Sequence, residues 1–303
     1  MAISAESIDF RRENLEDIQT NSYPDLQQYS KLIEVKLRKF KEEKGLDCFI
    51  DLFRLSANIP EPLKPDSSEE KVYSKYTDTL LCLMFNFIGI PSEVLAARSD
   101  SADVVSVDKQ YGLDFVSDAK AFRLSRTAKN QKDFKIAAMD KWKGSRSQAI
   151  LVCPVYQLPA KSSQIYYQSV QHNVLILTNS HIALLAKYTE KYGRDVSLQL
   201  LYRTLSKLKD CTQSKSASDY WKTINHSMKH SLDNGVLWKE ENLKINDTIN
   251  AGKVEGSVYY SKEKERIMSL SQGEAIHELL ETSNVISKIQ TVQSVSNTEI
   301  FDA

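Results

Sequence analysis

The chain has 303 residues, of which 41% are apolar and 26% charged, and its formal net charge is zero. This length suits one large domain or two small ones, and the composition is that of an ordinary soluble globular protein. No apolar run approaches the ~18 to 20 residues of a membrane span, and the N-terminus, MAISAESIDFRREN, lacks the basic start and apolar stretch of a secretory signal. A cytoplasmic protein is expected.

The first hundred residues read as helices. Leu26, Tyr29, Ile33, Leu37 and Phe40 recur at helical spacing, with Gly45 as the stop. Phe49 to Leu55 suggests a second helix, broken by Pro60, Pro62 and Pro65. Ser67 and Glu70 form a capping-box signature for a third, carrying Val72, Tyr76, Leu80, Met84 and Phe87.

The character changes near residue 102. Ala102 to Asp108 is a β-branched run, Lys109 to Gly112 a turn, and Leu113 to Phe122 an alternating strand, so the pair predicts a hairpin. Gln131 to Trp142 reads as a helix. Ala149 to Val155 is a continuous apolar run that suits a buried strand. Ser163 to Val170 fits helix and strand equally. Asn173 to Thr178 reads as a strand, with a helix from about His181. From Val196 onward the pattern is mostly helical, with a second capping box at Ser271 and Glu274, and the last fifteen residues are polar and expected to fray. One α/β domain over 1–303 is the simplest organisation: 1–100 mainly helical, 101–190 a catalytic α/β core with a small mixed sheet, 191–303 mainly helical.

The predicted hairpin holds the chemistry. Alternation along the second strand puts Asp114, Val116, Asp118 and Lys120 on one face. Asp118 and Lys120 then lie roughly 7 Å apart at their Cα atoms, and Asp103, at the start of the partner strand, falls near Asp118. Two carboxylates and an ammonium on a rigid platform suit metal-assisted phosphodiester cleavage. Mg²⁺ takes oxygen ligands and keeps several waters, and a neighbouring lysine orients one water and steadies the negative transition state.

Net charge zero conceals a basic stretch. From Ala119 to Arg146 there are nine basic residues, among them Lys120, Arg123, Arg126, Lys129, Lys132 and Lys135, against Asp133 and Asp140, so the segment is +7. Phosphate binding follows local potential more than total charge. An acidic-x-Lys triplet alone is common, and Asp133-Phe134-Lys135 is a rival. The hairpin context and the adjoining basic stretch favour Asp118-Ala119-Lys120 and a nuclease.

Other sites are excluded. Cys48, Cys82, Cys153 and Cys211 are too far apart for a zinc or redox motif. His226 and His230 lack the glutamate of a zinc-protease helix. Trp142, Trp221 and Trp238 suit the core or a dimer contact better than base stacking. No Gly-rich phosphate loop is present.

The stretch SDAKAFRLSRTAKNQKDFK, Ser117 to Lys135, resembles the catalytic segment of the HindIII-type restriction endonucleases, in the PD-(D/E)xK nuclease superfamily. IPEPLKPDSSEEKVYSK, Ile59 to Lys75, resembles that family's N-terminal helical region. The likeness is near-identity over Phe122 to Lys135, recognisable from about residue 59 to 190, and faint in the last hundred residues. It implies a PD-(D/E)xK core with added N- and C-terminal helices. It also implies a catalytic set of Asp103, Asp118 and Lys120, with the carboxylates on Mg²⁺ and Lys120 near the attacking water. The superfamily's first acid commonly follows a proline, whereas Asp103 follows Ala102, and Asp108 is the alternative. Glu70 has two readings, a further metal ligand or only a cap.

The implied substrate is double-stranded DNA with the palindrome AAGCTT, which demands a two-fold symmetric reader and hence a homodimer. A partner methyltransferase protecting the host's DNA is implied with it. By the pairing preferences of the major groove, Asn130 and Lys132 are the candidates for base contacts and Ala128 for a thymine methyl. Arg123, Arg126, Lys129 and Lys135 are assigned to phosphates. A silent DNA-binding protein and a structure-specific repair nuclease of the same fold are the competing readings.

Overall fold

The computed structural model describes residues 2–96, 101–125, 131–211, 215–283 and 285–294. Four helices come first: α1 (Ala5–Thr20), α2 (Leu26–Lys44), α3 (Leu46–Ser56) and α4 (Ser68–Ile88). The core follows as β1 (Ser92–Val94), β2 (Val104–Asp108), β3 (Leu113–Ala119), α5 (Gln131–Phe134), α6 (Ile136–Trp142), β4 (Gln148–Cys153), α7 (Gln164–Gln171), β5 (Val174–Thr178) and α8 (Asn179–Tyr192). Then come α9 (Arg194–Lys207), α10 (Ala217–Met228), α11 (Val236–Ser269), α12 (Gln272–Thr282) and α13 (Val285–Ser294). By internal packing the chain forms two compact units, Met1–Gly256 and Ser257–Ala303. In the second, Arg266 bonds Glu263 and Glu278, and Ser271 and Glu274 form a complete capping box.

The five strands form one mixed sheet in the order β1-β2-β3-β4-β5. β1, β2 and β3 are antiparallel, and β4 and β5 run parallel to β3. β3 is central, flanked on each side by two strands. The β2–β3 hairpin is where the alternating pattern puts it. Apart from Gln148 at the start of β4 and Thr178 at the end of β5, both strands are apolar because both of their faces are covered. Burying each Ile, Leu or Val there contributes about 1.5–3 kcal/mol. α4 packs on β1, β2 and β3, while α6 packs on β3, β4 and β5, and α7 on β5. Phe85 of α4 meets Phe115 of β3 edge-on at 5.3 Å.

α4 also packs against α2 and α3, so it is covered on more than its sheet-facing side. That surrounds positions a solvent-facing helix would leave polar, and Lys75 and Asp78 end up buried among its apolar residues.

Several elements differ from expectation, each for a local reason. β3 stops at Ala119 rather than Phe122. Phe122 leaves the sheet to bridge Asn58, exchanging Ile59 N–H to Phe122 O (3.3 Å) and Phe122 N–H to Ala57 O (3.0 Å). The single helix from Gln131 to Trp142 is two, separated by Lys135 in the left-handed region at φ 47°. At the start of α4 the capping box is one-sided. Ser67 accepts from Glu70 N–H, but the Glu70 carboxylate turns to Asp66 N–H (2.6 Å). The ambiguous segment is helix α7, started by Ser163.

Two contacts fix the loop that Phe122 bridges. Buried Arg11 donates to the carbonyls of Leu55 and Asn58 and to Tyr73, and pairs with Glu255 at 3.0 Å. On α11, a Cβ added at Gly252 would lie 2.9 Å from the Leu124 side chain and 3.1 Å from the Asn58 amide, so any larger residue there must shift those side chains.

Candidate active site

The β2–β3 register pairs Val104 with Ser117 and Asp108 with Leu113. One step further, the same register sets Asp103 opposite Asp118. α4 brings a third carboxylate from behind. Asp78, Asp103 and Asp118 offer oxygens that all lie within 4.8 Å of one another. Asp78 and Asp118 are almost fully buried, whereas the Asp103 side chain is 34% exposed, so the cluster opens to solvent at Asp103.

Two lysines serve these three acids. Lys120 pairs with Asp118. Lys75, 4% exposed, donates to Asp103 Oδ1 at 3.1 Å and stands 3.6 Å from Asp78 Oδ2. The formal balance is three negative against two positive. Burial, then the neighbouring Asp103 charge, pushes the Asp78 carboxyl well above the ordinary range although Lys75 opposes this. Burial and Asp118 raise Asp103 in the same direction. Burial alone would lower Lys120, but Asp118 and Asp103 reverse that and hold its ammonium charged.

This donor set fits a hard divalent cation. Its oxygens are all carboxylate, and ligands across such an ion stand roughly 4–5 Å apart. The mutual repulsion that raises Asp78 and Asp103 is relieved by a positive charge among them. Asp78, Asp103 and Asp118 are the residues that would hold it.

A family model described as HindIII restriction endonuclease matches residues 15–296. The type II restriction enzyme HindIII of Haemophilus influenzae is 34% identical over 252 residues, covering 81% of this chain and 82% of that protein. The chain belongs to the HindIII restriction endonuclease family. It is thereby homologous to a type II restriction enzyme, a site-specific deoxyribonuclease, and its five-stranded mixed sheet flanked by helices agrees with a restriction-endonuclease-like fold.

In this HindIII-family chain the remaining candidates take separate places. Asp108 lies at the far end of β2, where it accepts from Tyr111 N–H (3.1 Å) and pairs with Arg194 (2.8 Å). Of the two candidate first acids, Asp103 is the one beside Asp118. Glu70 accepts from Asp66 N–H and pairs with Arg123 at 2.7 Å, outside the three-aspartate group. Arg123 also donates to the Leu63 carbonyl, so its guanidinium ties the basic segment to the loop before α4. Asp133 sits in α5 and Lys135 between α5 and α6, with its ammonium 5.8 Å from the Trp142 ring centroid. Arg126, Ala128, Lys129 and Asn130 lie outside the described residues, as does the side chain of Lys132.

His226 is in α10 and His230 beyond its end, against Tyr188 and Tyr192. Trp142, Trp221 and Trp238 are partly buried against the core. Cys82, Cys153 and Cys211 are buried and all four cysteines are free.

Asp78 and Lys75 escaped the sequence reading. The available signal was a Lys-x-x-Asp pair flanking the apolar face marked by Val72, Tyr76 and Leu80. A charged i, i+3 pair there ordinarily reads as a solvated edge, and only the packing of α4 on both sides turns it inward.

Proposed function

We propose that this chain is a Mg²⁺-dependent type II restriction endonuclease that hydrolyses both strands of DNA at AAGCTT, leaving 5′-phosphate and 3′-hydroxyl ends. The supporting observation is the cluster of Asp78, Asp103, Asp118 and Lys120 where the central strand ends, in a chain of the HindIII family. HindIII itself is the type II restriction enzyme to which the similarity runs.

In this reading Asp78, Asp103 and Asp118 bind the cation, and the open side at Asp103 admits the scissile phosphate. When bound, the cation supplies Lewis-acid polarisation of the phosphate and a more acidic water. Lys120, kept charged by Asp118, orients the attacking water and offsets charge developing on the phosphate oxygens. Arg126, Lys129, Lys132 and Lys135 bind backbone phosphates. Asn130 and Lys132 read base edges, and Ala128 meets a thymine methyl. Arg123 and Glu70 hold the base of that segment against the Leu63 loop. The palindrome requires two copies, so the active form is a homodimer, working in the cytoplasm beside a methyltransferase of the same specificity.

The test is cleavage of plasmid DNA carrying one AAGCTT site, in Mg²⁺ and in EDTA, with the ends sequenced. A single cut at that site in Mg²⁺ alone is expected. Binding without cutting, or nicking confined to branched or damaged DNA, would overturn the proposal. No described helix is long and apolar enough to cross a membrane.

A further inference from the structure

We propose that Lys75 is a built-in counter-cation that keeps the three-aspartate pocket assembled before metal arrives. This rests on the reading of the cluster as a metal site. Lys75 approaches from the interior: its side chain is 5% exposed, as is that of Asp78, while Asp103 is 34% exposed. Its ammonium holds Oδ1 of Asp103 at 3.1 Å and lies 3.6 Å from Asp78. The charged groups facing it are Asp78 and Asp103, with Asp118 and Lys120 beyond them. The closed side of the pocket is thus occupied by a resident positive charge, and the side open to solvent is left for an incoming one.

Two consequences follow from electrostatics. With Lys75 the metal-free cluster is formally one negative charge in excess. Without it, three carboxylates face only Lys120, and the pocket loses stability until a cation enters. Lys75 also repels that cation at short range in a medium of lowered dielectric. Removing the ammonium therefore destabilises the metal-free protein and tightens metal binding together. A lysine that merely fills space in α4 produces neither the coupling nor its sign.

The experiment compares the full-length parent, Lys75→Met, Lys75→Arg and Asp118→Asn, using Mn²⁺ as the probe. Thermal unfolding with and without Mn²⁺ and calorimetric titration are both run at pH 8. Lys75→Met is expected to melt several degrees below the parent without metal, to gain more from Mn²⁺ than the parent does, and to bind it on the order of tenfold more tightly. Lys75→Arg, which keeps the charge, is expected to stay within about twofold of the parent affinity. If Lys75→Met folds only with Mn²⁺ present, the proposal is upheld. Failure to fold even with Mn²⁺, or an affinity equal to or weaker than the parent's, overturns it. A parent that gains nothing from Mn²⁺, or an Asp118→Asn variant that gains as much as the parent, overturns the metal reading instead.

Discussion

Two buried ionic clusters in the first unit are built from the same kinds of side chain and differ in their charge balance. Near the end of α3, Arg54 donates to both carboxylate oxygens of Glu241 and to Asp51, and Lys244 closes on Asp51 at 3.0 Å. Two acids meet two bases, and Ser4 N–H takes a further Asp51 lone pair. Burial works against the Arg54 charge, but Glu241 and Asp51 outweigh it and hold the guanidinium firmly protonated. Burial raises Glu241 as well. At the end of β3, three acids meet two bases; burial and Asp103 push Asp78 upward, and burial and Asp118 push Asp103 upward. The first cluster is complete as it stands. The second is formally one positive charge short, and its Asp103 is the most exposed acid of the two clusters. Burial of charge therefore does not by itself mark a functional site; a sign imbalance beside an opening does.

The largest expected effect is on chemistry. Asp118→Asn takes the site from three acids against two lysines to two against two. Cleavage of AAGCTT plasmid should fall at least about 10³-fold, while the metal-free melting temperature changes little. A variant that melts far lower would show that the cluster needs all three charges for folding, as its counterpart does.

The converse holds at the balanced cluster. Arg54→Met strands Asp51 and Glu241 in the interior, with only Lys244 left for Asp51. It should cost about 3–5 kcal/mol of stability in denaturant titration, and added Mg²⁺ should not restore it. Metal rescue there would erase the distinction between the two clusters.

A buried neutral group supplies the control. His181 stacks on Trp221 at 5.7 Å, accepts at Nδ1 from Thr178, and donates from Nε2 to Asn225. Burial lowers its pKa to about 4 from the ordinary 6.5. The unfolded chain thus binds more protons between those values. The His181 contribution is fully present above pH 6.5 and is lost as pH falls toward 4, by about 3 kcal/mol. Stability measured across that range in the parent and in His181→Gln should differ in slope. Equal slopes would mean the ring protonates without cost.

The smallest effect belongs to Glu70. Its carboxylate serves the Asp66 amide and Arg123 and not the aspartate group. Glu70→Gln should therefore lower cleavage by less than about tenfold, and a loss matching Asp118→Asn would return it to the metal.

Much of the sheet was readable because its patterns are local. The β-branched run before Asp108 and the alternation after Leu113 specify a hairpin, and hairpin register alone brings Asp103 to Asp118. The apolar runs of β4 and β5 announce strands covered on both faces. Other features were hidden because they depend on tertiary contacts. β1 is three residues long and exists by pairing with β2. The break at Lys135 lacks the glycine that usually signals a left-handed residue. Asp78 and Lys75 come from a helix more than two dozen residues upstream, and nothing local tells a charged pair at the edge of a helix face that a sheet will close over it. Glu70 shows the reverse: a carboxylate well placed in sequence that is spent on a cap and an arginine.

One hard cation is expected among Asp78, Asp103 and Asp118. The direct measurement is anomalous diffraction from crystals of the protein with an uncleaved AAGCTT duplex soaked in Mn²⁺. The expected result is a single strong anomalous peak with oxygens of all three aspartates at roughly 2.0–2.6 Å. A peak bound elsewhere, or an empty cluster at saturating Mn²⁺ with Lys75 and Lys120 still in place, would contradict it.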